Sequence, residues 1–287
     1  MKGIVWLASY PKSGNTWFRM FLANYLRDGD QPINFDDLQS GLLASARETF
    51  DQLVGYDSGE MTFDEIDSVR PDVYRYQAEH ATETPYCKIH DAFILLPDGR
   101  PLVPLDATAC VLYFIRNPLD VAVSFAHHHG HDRFDRIVRA MGNAEYALCG
   151  SPMAQANQLR QKLLTWSGHV TSWTEAPGLR VHVVRFEDMK RDSVEAFGGA
   201  IRFLGLGEDE TRLRKAIAFS RFEELKRQET CSGFPGKSPQ ARSFFRKGEV
   251  GSWRGELNPA HVAQLVADHR DVMRRFGYLG AREQPVF

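Results

Sequence analysis

A short apolar run, Ile4 to Ser9, passes into a polar, glycine-containing stretch, Tyr10 to Asn15. Apolar residues at helical spacing follow from Thr16 to Arg27, with Trp17, Phe21 and Tyr25 beside Phe18, Leu22 and Leu26. The run reads as a buried strand and the spaced residues as one face of a helix. Strand, tight turn and helix in that order make a phosphate-binding unit, because consecutive backbone N–H groups at the helix start can point at one oxyanion.

The turn itself reads Tyr10-Pro-Lys-Ser-Gly-Asn-Thr-Trp17. Lys12 adds a full charge to the N–H groups; Ser13, Asn15 and Thr16 add side-chain donors, and Trp17 offers a flat face to a purine. The usual ATP loop places its lysine after a second glycine and follows it with a hydroxyl for magnesium. Here Lys12 precedes Gly14, the only glycine of the turn.

Further strands are expected at 86–90, 110–115 and 181–186, with helices between them. Asn117-Pro118 supplies an N-cap and a first-turn proline. Ser151-Pro152 repeats that signal ahead of a longer helix carrying Leu159, Leu163, Trp166, Val170 and Trp173. Helices are also expected around 193–204, 209–219 and 259–276. Strands separated by helices imply a mostly parallel central sheet flanked by helices, an α/β fold in a single P-loop-like domain over 1–287. Residues 31–85 hold twelve acidic and three basic residues among many aromatics, with short helices expected. Residues 230–258, rich in Gly, Ser and Pro, read as a long functional loop.

The 287-residue chain is 43% hydrophobic and 25% charged, ordinary for a globular protein, and its net charge of −2 argues against nucleic-acid binding. Four scattered cysteines without a C-x-x-C pair suit a reducing compartment and speak against a zinc site. No signal peptide or membrane span is apparent, so the cytoplasm is expected.

The turn resembles the donor loop of the sulfotransferases that use 3′-phosphoadenosine 5′-phosphosulfate (PAPS), typically YPKSGTTW, with Asn15 as the one change. The opening is similar to small bacterial members that sulfonate natural products such as glycopeptides. Four later segments resemble that family, and along the chain they fall in the family's order. Phe114 to Phe125, FIRNPLDVAVSF, is similar to its 3′-phosphate motif and implies phosphate contacts from Arg116 and Ser124. Ser220 to Leu225 and Phe186 to Met189 resemble its adenine-flanking segments. They imply contacts from Ser220 and Phe222, with a tyrosine hydroxyl missing at Phe186. Phe244 to Trp253, FFRKGEVGSW, resembles the segment that closes over the nucleotide and implies Arg246, Lys247 and the Gly248 N–H at the 3′-phosphate. Ser252 stands where aspartate is common, which puts the loop's anchoring in question.

The same resemblance implies that the loop backbone, Ser13, Gly14, Asn15, Thr16 and Lys12 hold the 5′-phosphosulfate, while Trp17 stacks on adenine. It turns Lys88-Ile89-His90 into a catalytic strand end. Residues two apart on a strand share a face, so Lys88 and His90 point together and Ile89 faces the core. His90 is then the general base, and Lys12 and Lys88 stabilise charge on the bridging and equatorial oxygens. No metal is expected. Without the resemblance His90 would read as an ordinary strand-end histidine.

The acceptor is a small molecule, with 31–85 and about 127–155 as acceptor-side segments and 230–258 as the nucleotide-covering loop. His127, His128, His129 and His131 cluster near Asp132, and a helix would bring His127 and His131 onto one face; a solvated or acceptor-lining rim is the expectation over a metal site. Residues 180–255 carry sixteen Lys or Arg against eleven Asp or Glu, an excess where the donor is expected. Two alternatives remain: an ATP-dependent phosphotransferase, and a nucleotide-binding protein without turnover. The oligomeric state, homodimer included, stays open.

Overall fold

The computed structural model describes residues 2–39, 42–130, 133–151, 153 and 155–287. In chain order the elements are β1 (Ile4–Ser9), α1 (Asn15–Arg27), α2 (Phe35–Gln39), β2 (Leu42–Leu43), α3 (Arg47–Val54), α4 (Phe63–His80), β3 (Tyr86–Ile89) and β4 (Thr108–Ile115). Then come α5 (Pro118–His128), α6 (Phe134–Met141), β5 (Ala147–Leu148), β6 (Gln161–Lys162), α7 (Trp166–Thr174) and β7 (Val181–Arg185). The last helices are α8 (Phe186–Arg191), α9 (Ser193–Leu204), α10 (Glu210–Phe219), α11 (Phe222–Ser232) and α12 (Pro259–Arg275).

Two compact units share these elements. The first holds Met1–Tyr10, Gly41–Tyr113 and Asn143–Val183; the second holds Pro11–Ser40, Phe114–Gly142 and Val184–Phe287. The first unit carries the central sheet, of order β2-β3-β1-β4-β7. β1 and β3 run parallel, with Ala8 opposite Ile89, and β2 is parallel to β3 on its other side. All six β1 residues are buried, as expected of a strand covered on both faces. Trp6 meets Tyr74 of α4 edge-on at 5.0 Å, and Phe50, Ile66, Val73 and Leu159 form a second cluster. The second unit is helical; its core joins Phe18, Phe21, Phe114 and Phe197 through ring contacts of 4.3 to 5.6 Å.

Three expectations are corrected. The helix expected after Ser151-Pro152 begins only at Trp166, where the Thr165 side chain accepts from the Gly168 N–H. Upstream, Gln161 and Lys162 pair antiparallel with Leu148 and Ala147, and Leu164 takes a positive φ of 60°. Leu159 and Leu163 are buried although neither lies in a helix, Leu159 against Phe50, Ile66 and Val73; Pro152 lies outside the described residues. Within 31–85, α4 runs 18 residues rather than forming a short helix. Thr62 and Glu65 close a reciprocal capping box at its start, a T-x-x-E signal visible in the sequence. α11, from Phe222 to Ser232, likewise extends into the stretch expected to be a loop.

Candidate active site

In the first unit the β1–β3 register brings the two residues after the paired strand ends together. His90 Nδ1 lies 2.8 Å from the Ser9 carbonyl oxygen and 3.2 Å from Ser9 Oγ. Ile89 is buried, while Lys88 and His90 are half-buried, as the alternation predicts.

The backbone at His90 and Asp91 is fixed from several directions. The Asp91 carboxylate accepts from both terminal nitrogens of Arg70, at 3.0 and 2.6 Å, and its carbonyl accepts from Trp173 Nε1 at 2.9 Å. The His90 carbonyl accepts from His169 Nε2 at 3.0 Å, and the other His169 nitrogen meets the Tyr113 hydroxyl at 2.8 Å. Burial lowers His169 to about 4, so it is neutral at pH 7. Arg70 is fully buried. Desolvation opposes its charge, but Asp91, Tyr74 and Asp67 outweigh it and hold the guanidinium above its ordinary range. Sequence reasoning missed Arg70, Asp91 and His169, because their partners lie 21 to 90 residues away and no spacing rule connects them.

The second unit holds the turn after Tyr10. Lys12 and Gly14 both adopt positive φ, 72° and 97°. For glycine this conformation has no steric penalty; for lysine it is strained, and such strain gathers at functional sites. Gly14 precedes α1 without a side-chain cap, and no acidic residue occupies the first turn. Gly14 has no side chain with which to cap the leading N–H groups of α1. A Cβ on Gly14 would lie 2.8 Å from the Phe186 ring, so the turn accepts no side chain there. Ser13 Oγ and Trp17 Nε1 are buried and find no hydrogen-bond partner among the described residues. Asn15 is buried and Thr16 half-buried. Lys12 Nζ sits 4.0 Å from the Phe244 ring centre. Trp17 meets Phe186 and Phe197 edge-on at 6.0 and 5.3 Å.

Arg116, at the first position after β4, is buried and lies over the Phe186 ring at 4.2 Å. Its terminal nitrogens donate to the carbonyls of Lys12 and Glu249, at 3.3 and 2.9 Å, and Nε finds no partner among the described residues. Burial lowers its pKa, and Asp120 and Glu187 offset that only in part. Ser124 is half-buried two turns into α5. Ser220 is buried at the end of α10, its hydroxyl donating to Ala216 O at 3.0 Å. Phe222 opens α11 and presses on Gly248, where a Cβ would come within 2.5 Å of its ring. Gly248 also has a positive φ of 62°.

The Arg246 segment is suspended between two carboxylates. On one side Glu229 accepts from the backbone N–H of Phe244 and Phe245, at 2.6 and 3.0 Å, and from Ser243 Oγ. On the other, buried Asp120 accepts from the N–H of Gly251 at 2.8 Å, from that of Trp253 at 3.1 Å and from Ser252 Oγ at 3.1 Å. This answers the question raised by Ser252: α5 supplies the anchoring carboxylate, and the serine donates to it. Neither Glu229 nor Asp120 was singled out in the sequence.

An arginine with an unused donor, a buried hydroxyl, an uncapped helix start and two glycines that admit no Cβ form a site with donors for phosphate oxygens. The Sulfotransferase domain model matches residues 2–277. The chain belongs to the sulfotransferase family. It is 26% identical over 266 residues to Cytosolic sulfotransferase 1 of Arabidopsis thaliana, covering 88% of this chain and 73% of that one. Against human Sulfotransferase 1E1 the identity is 24% over 268 residues, covering 88% and 78%. The fold is shared with retinol dehydratase in complex with androsterone and the inactive cofactor PAP, at TM-score 0.62 and 19% identity over 94% of this chain and 80% of that one. It is also shared with mouse sulfotransferase SULT7A1 complexed with PAP, at TM-score 0.59 and 19% identity over 96% and 86%.

In this sulfotransferase α5 ends at His128, and the pairing considered for His127 and His131 involves a residue outside the described ones. His127 turns its Nε2 to Glu256, while His128 and His129 make ring contacts with Phe244 and Phe125. His131 and Asp132 lie outside the described residues. Among the described residues no helix is long and apolar enough to cross a membrane.

Proposed function

We propose that this sulfotransferase, with PAPS as donor, passes the sulfonate in line to a hydroxyl or amine of a small molecule, and that His90 is the general base. The observation that carries the base is the contact of His90 Nδ1 with the Ser9 carbonyl at 2.8 Å. A carbonyl only accepts, so Nδ1 holds the proton and Nε2 keeps the lone pair that a base requires. The His169, Arg70 and Trp173 contacts around His90 and Asp91 keep that ring in place.

PAPS supplies an activated sulfonate whose bridging oxygen leaves with the 5′-phosphate. Lys12, Ser13, Gly14, Asn15 and Thr16 hold the 5′ end. Lys12 and Lys88 balance charge on the leaving and equatorial oxygens. Trp17, Ser220 and Phe222 flank the adenine. Arg116, Ser124, Arg246, Lys247 and Gly248 take the 3′-phosphate, a task suited to the unused Arg116 Nε. This donor set neutralises the nucleotide without a metal. Residues 31–85 and about 127–155 face the acceptor, and the whole chain works as one sulfotransferase domain. The similarity of its opening to bacterial natural-product enzymes favours a natural product as acceptor. The cytosolic names of the plant relatives favour the cytoplasm.

Calorimetric titration with adenosine 3′,5′-bisphosphate tests the donor, with ATP-magnesium as the competing ligand. Radiolabelled-donor turnover across hydroxyl- and amine-bearing metabolites tests the acceptor. His90→Ala is expected to lose about 10²–10⁴-fold in turnover while still binding the bisphosphate. A variant with undiminished turnover removes His90 from the chemistry, and a wild-type protein that prefers ATP-magnesium removes the donor.

A further inference from the structure

Glu256 does something that the donor reading does not require. Its Oε1 accepts from Arg246 at 2.8 Å and from Lys247 at 3.3 Å, and its Oε2 meets His127 Nε2. Arg246 and Lys247 are the two loop cations assigned to the 3′-phosphate. His127 lies on α5 three residues after Ser124, so the two share a helix face. The carboxylate thus draws together groups from the elements assigned to that phosphate. Its side chain is only 16% exposed. Desolvation works against its charge, but His127 and Arg246 outweigh burial and hold the carboxyl below its ordinary value.

We propose that Glu256 is an internal counter-anion for the 3′-phosphate site, which the donor must displace from Arg246 and Lys247. The inference rests on the donor reading above. A carboxylate and a phosphate dianion cannot share one guanidinium and one ammonium without repulsion. Arg246 and Lys247 therefore exchange one anion for the other when nucleotide binds, and the net gain from the 3′-phosphate is smaller than bare cations would give. Glu256 keeps the cations gathered and oriented in the meantime and sets how strongly the protein discriminates nucleotides with a 3′-phosphate from those without one.

The experiment titrates adenosine 3′,5′-bisphosphate and adenosine 5′-monophosphate into wild type, Glu256→Gln, Arg246→Ala and the double variant. Glu256→Gln is expected to bind the bisphosphate roughly 2- to 5-fold more tightly, the range of a partly exposed charge pair, with monophosphate affinity unchanged. The gain should shrink in the Arg246→Ala background, because the competition acts through that guanidinium. If Glu256→Gln binds the bisphosphate no better than wild type, or gains equally for both nucleotides, the counter-anion role is wrong and Glu256 only braces the loop. Should that variant fail to fold, Glu256→Ala, which likewise removes the charge, serves for the same measurement with the same signs. A wild-type protein with no bisphosphate affinity overturns the donor reading itself, whereas one that binds it but is indifferent to Glu256 overturns only this inference.

Discussion

Two buried arginines, one in each unit, are built in opposite ways. Arg70 spends its donors inside the fold: on both oxygens of Asp91, on Asp67, on the Tyr74 hydroxyl and on the Arg160 carbonyl. Arg116 is nearly as buried, but it rests on two backbone carbonyls and an aromatic face, with Asp120 no closer than 3.9 Å and Nε unused. A buried cation saturated by carboxylates holds structure together; one with a donor to spare is the one the donor reading proposed above gives to an anion from outside.

The comparison breaks most visibly at Arg70. Arg70→Ala leaves Asp91 buried without its partner and is expected to cost about 3–5 kcal/mol of unfolding free energy, read by denaturant titration. If stability hardly moved while nucleotide binding vanished, the two arginines would have been assigned the wrong way round.

Acid sharpens the picture of the first unit. His169, on the far side of the same His90–Asp91 segment, is lowered by burial from 6.5 to about 4. Its folded value lies below its unfolded one, so the unfolded chain takes up the proton first. The stabilisation is complete above about pH 6.5 and is lost as pH falls towards 4, about 3 kcal/mol in all. Glu187, raised by burial, works against this slope because its neutral form favours the folded state at low pH. His169→Gln can keep both hydrogen bonds without titrating, and it is expected to flatten the pH profile of stability measured from pH 7 to pH 4.

Arg116→Ala is expected to weaken adenosine 3′,5′-bisphosphate by about 10- to 100-fold, the value of one or two charged hydrogen bonds. Adenosine 5′-monophosphate should weaken far less, and the unfolding midpoint should move less than in Arg70→Ala. The smallest effect is expected at Asp120. Asp120→Ala releases the 251–253 anchor, so the loop must be ordered at binding, which costs about three- to tenfold in affinity. Amide exchange at 246–253 should rise at the same time. Unchanged exchange there would show that Glu229 alone holds the loop.

Local patterns were the legible part of this protein. β1 and the turn after it, the Asn117 cap of α5 and the alternation Lys88-Ile89-His90 all follow from residues within a turn or a strand of one another. The helix expected after Ser151-Pro152 is met only from Trp166 onward, for the same reason. Apolar spacing alone cannot tell a helix face from a loop with buried leucines, and the pairing of Gln161 with Leu148 decides between them. The supports of the site were illegible because each joins distant segments: Asp91 with Arg70, Asp120 with Gly251, Glu229 with Phe244 and Glu256 with His127.

By itself the sequence determined the α/β class and the glycine-containing turn between β1 and α1, because short-range sterics and motif spacing are properties of the chain. Tertiary structure alone decided which carboxylate each cation meets and which donor is left over. Burial removes the competing water, so the partner brought within about 3 Å settles whether a charge is consumed by the fold or kept for a ligand.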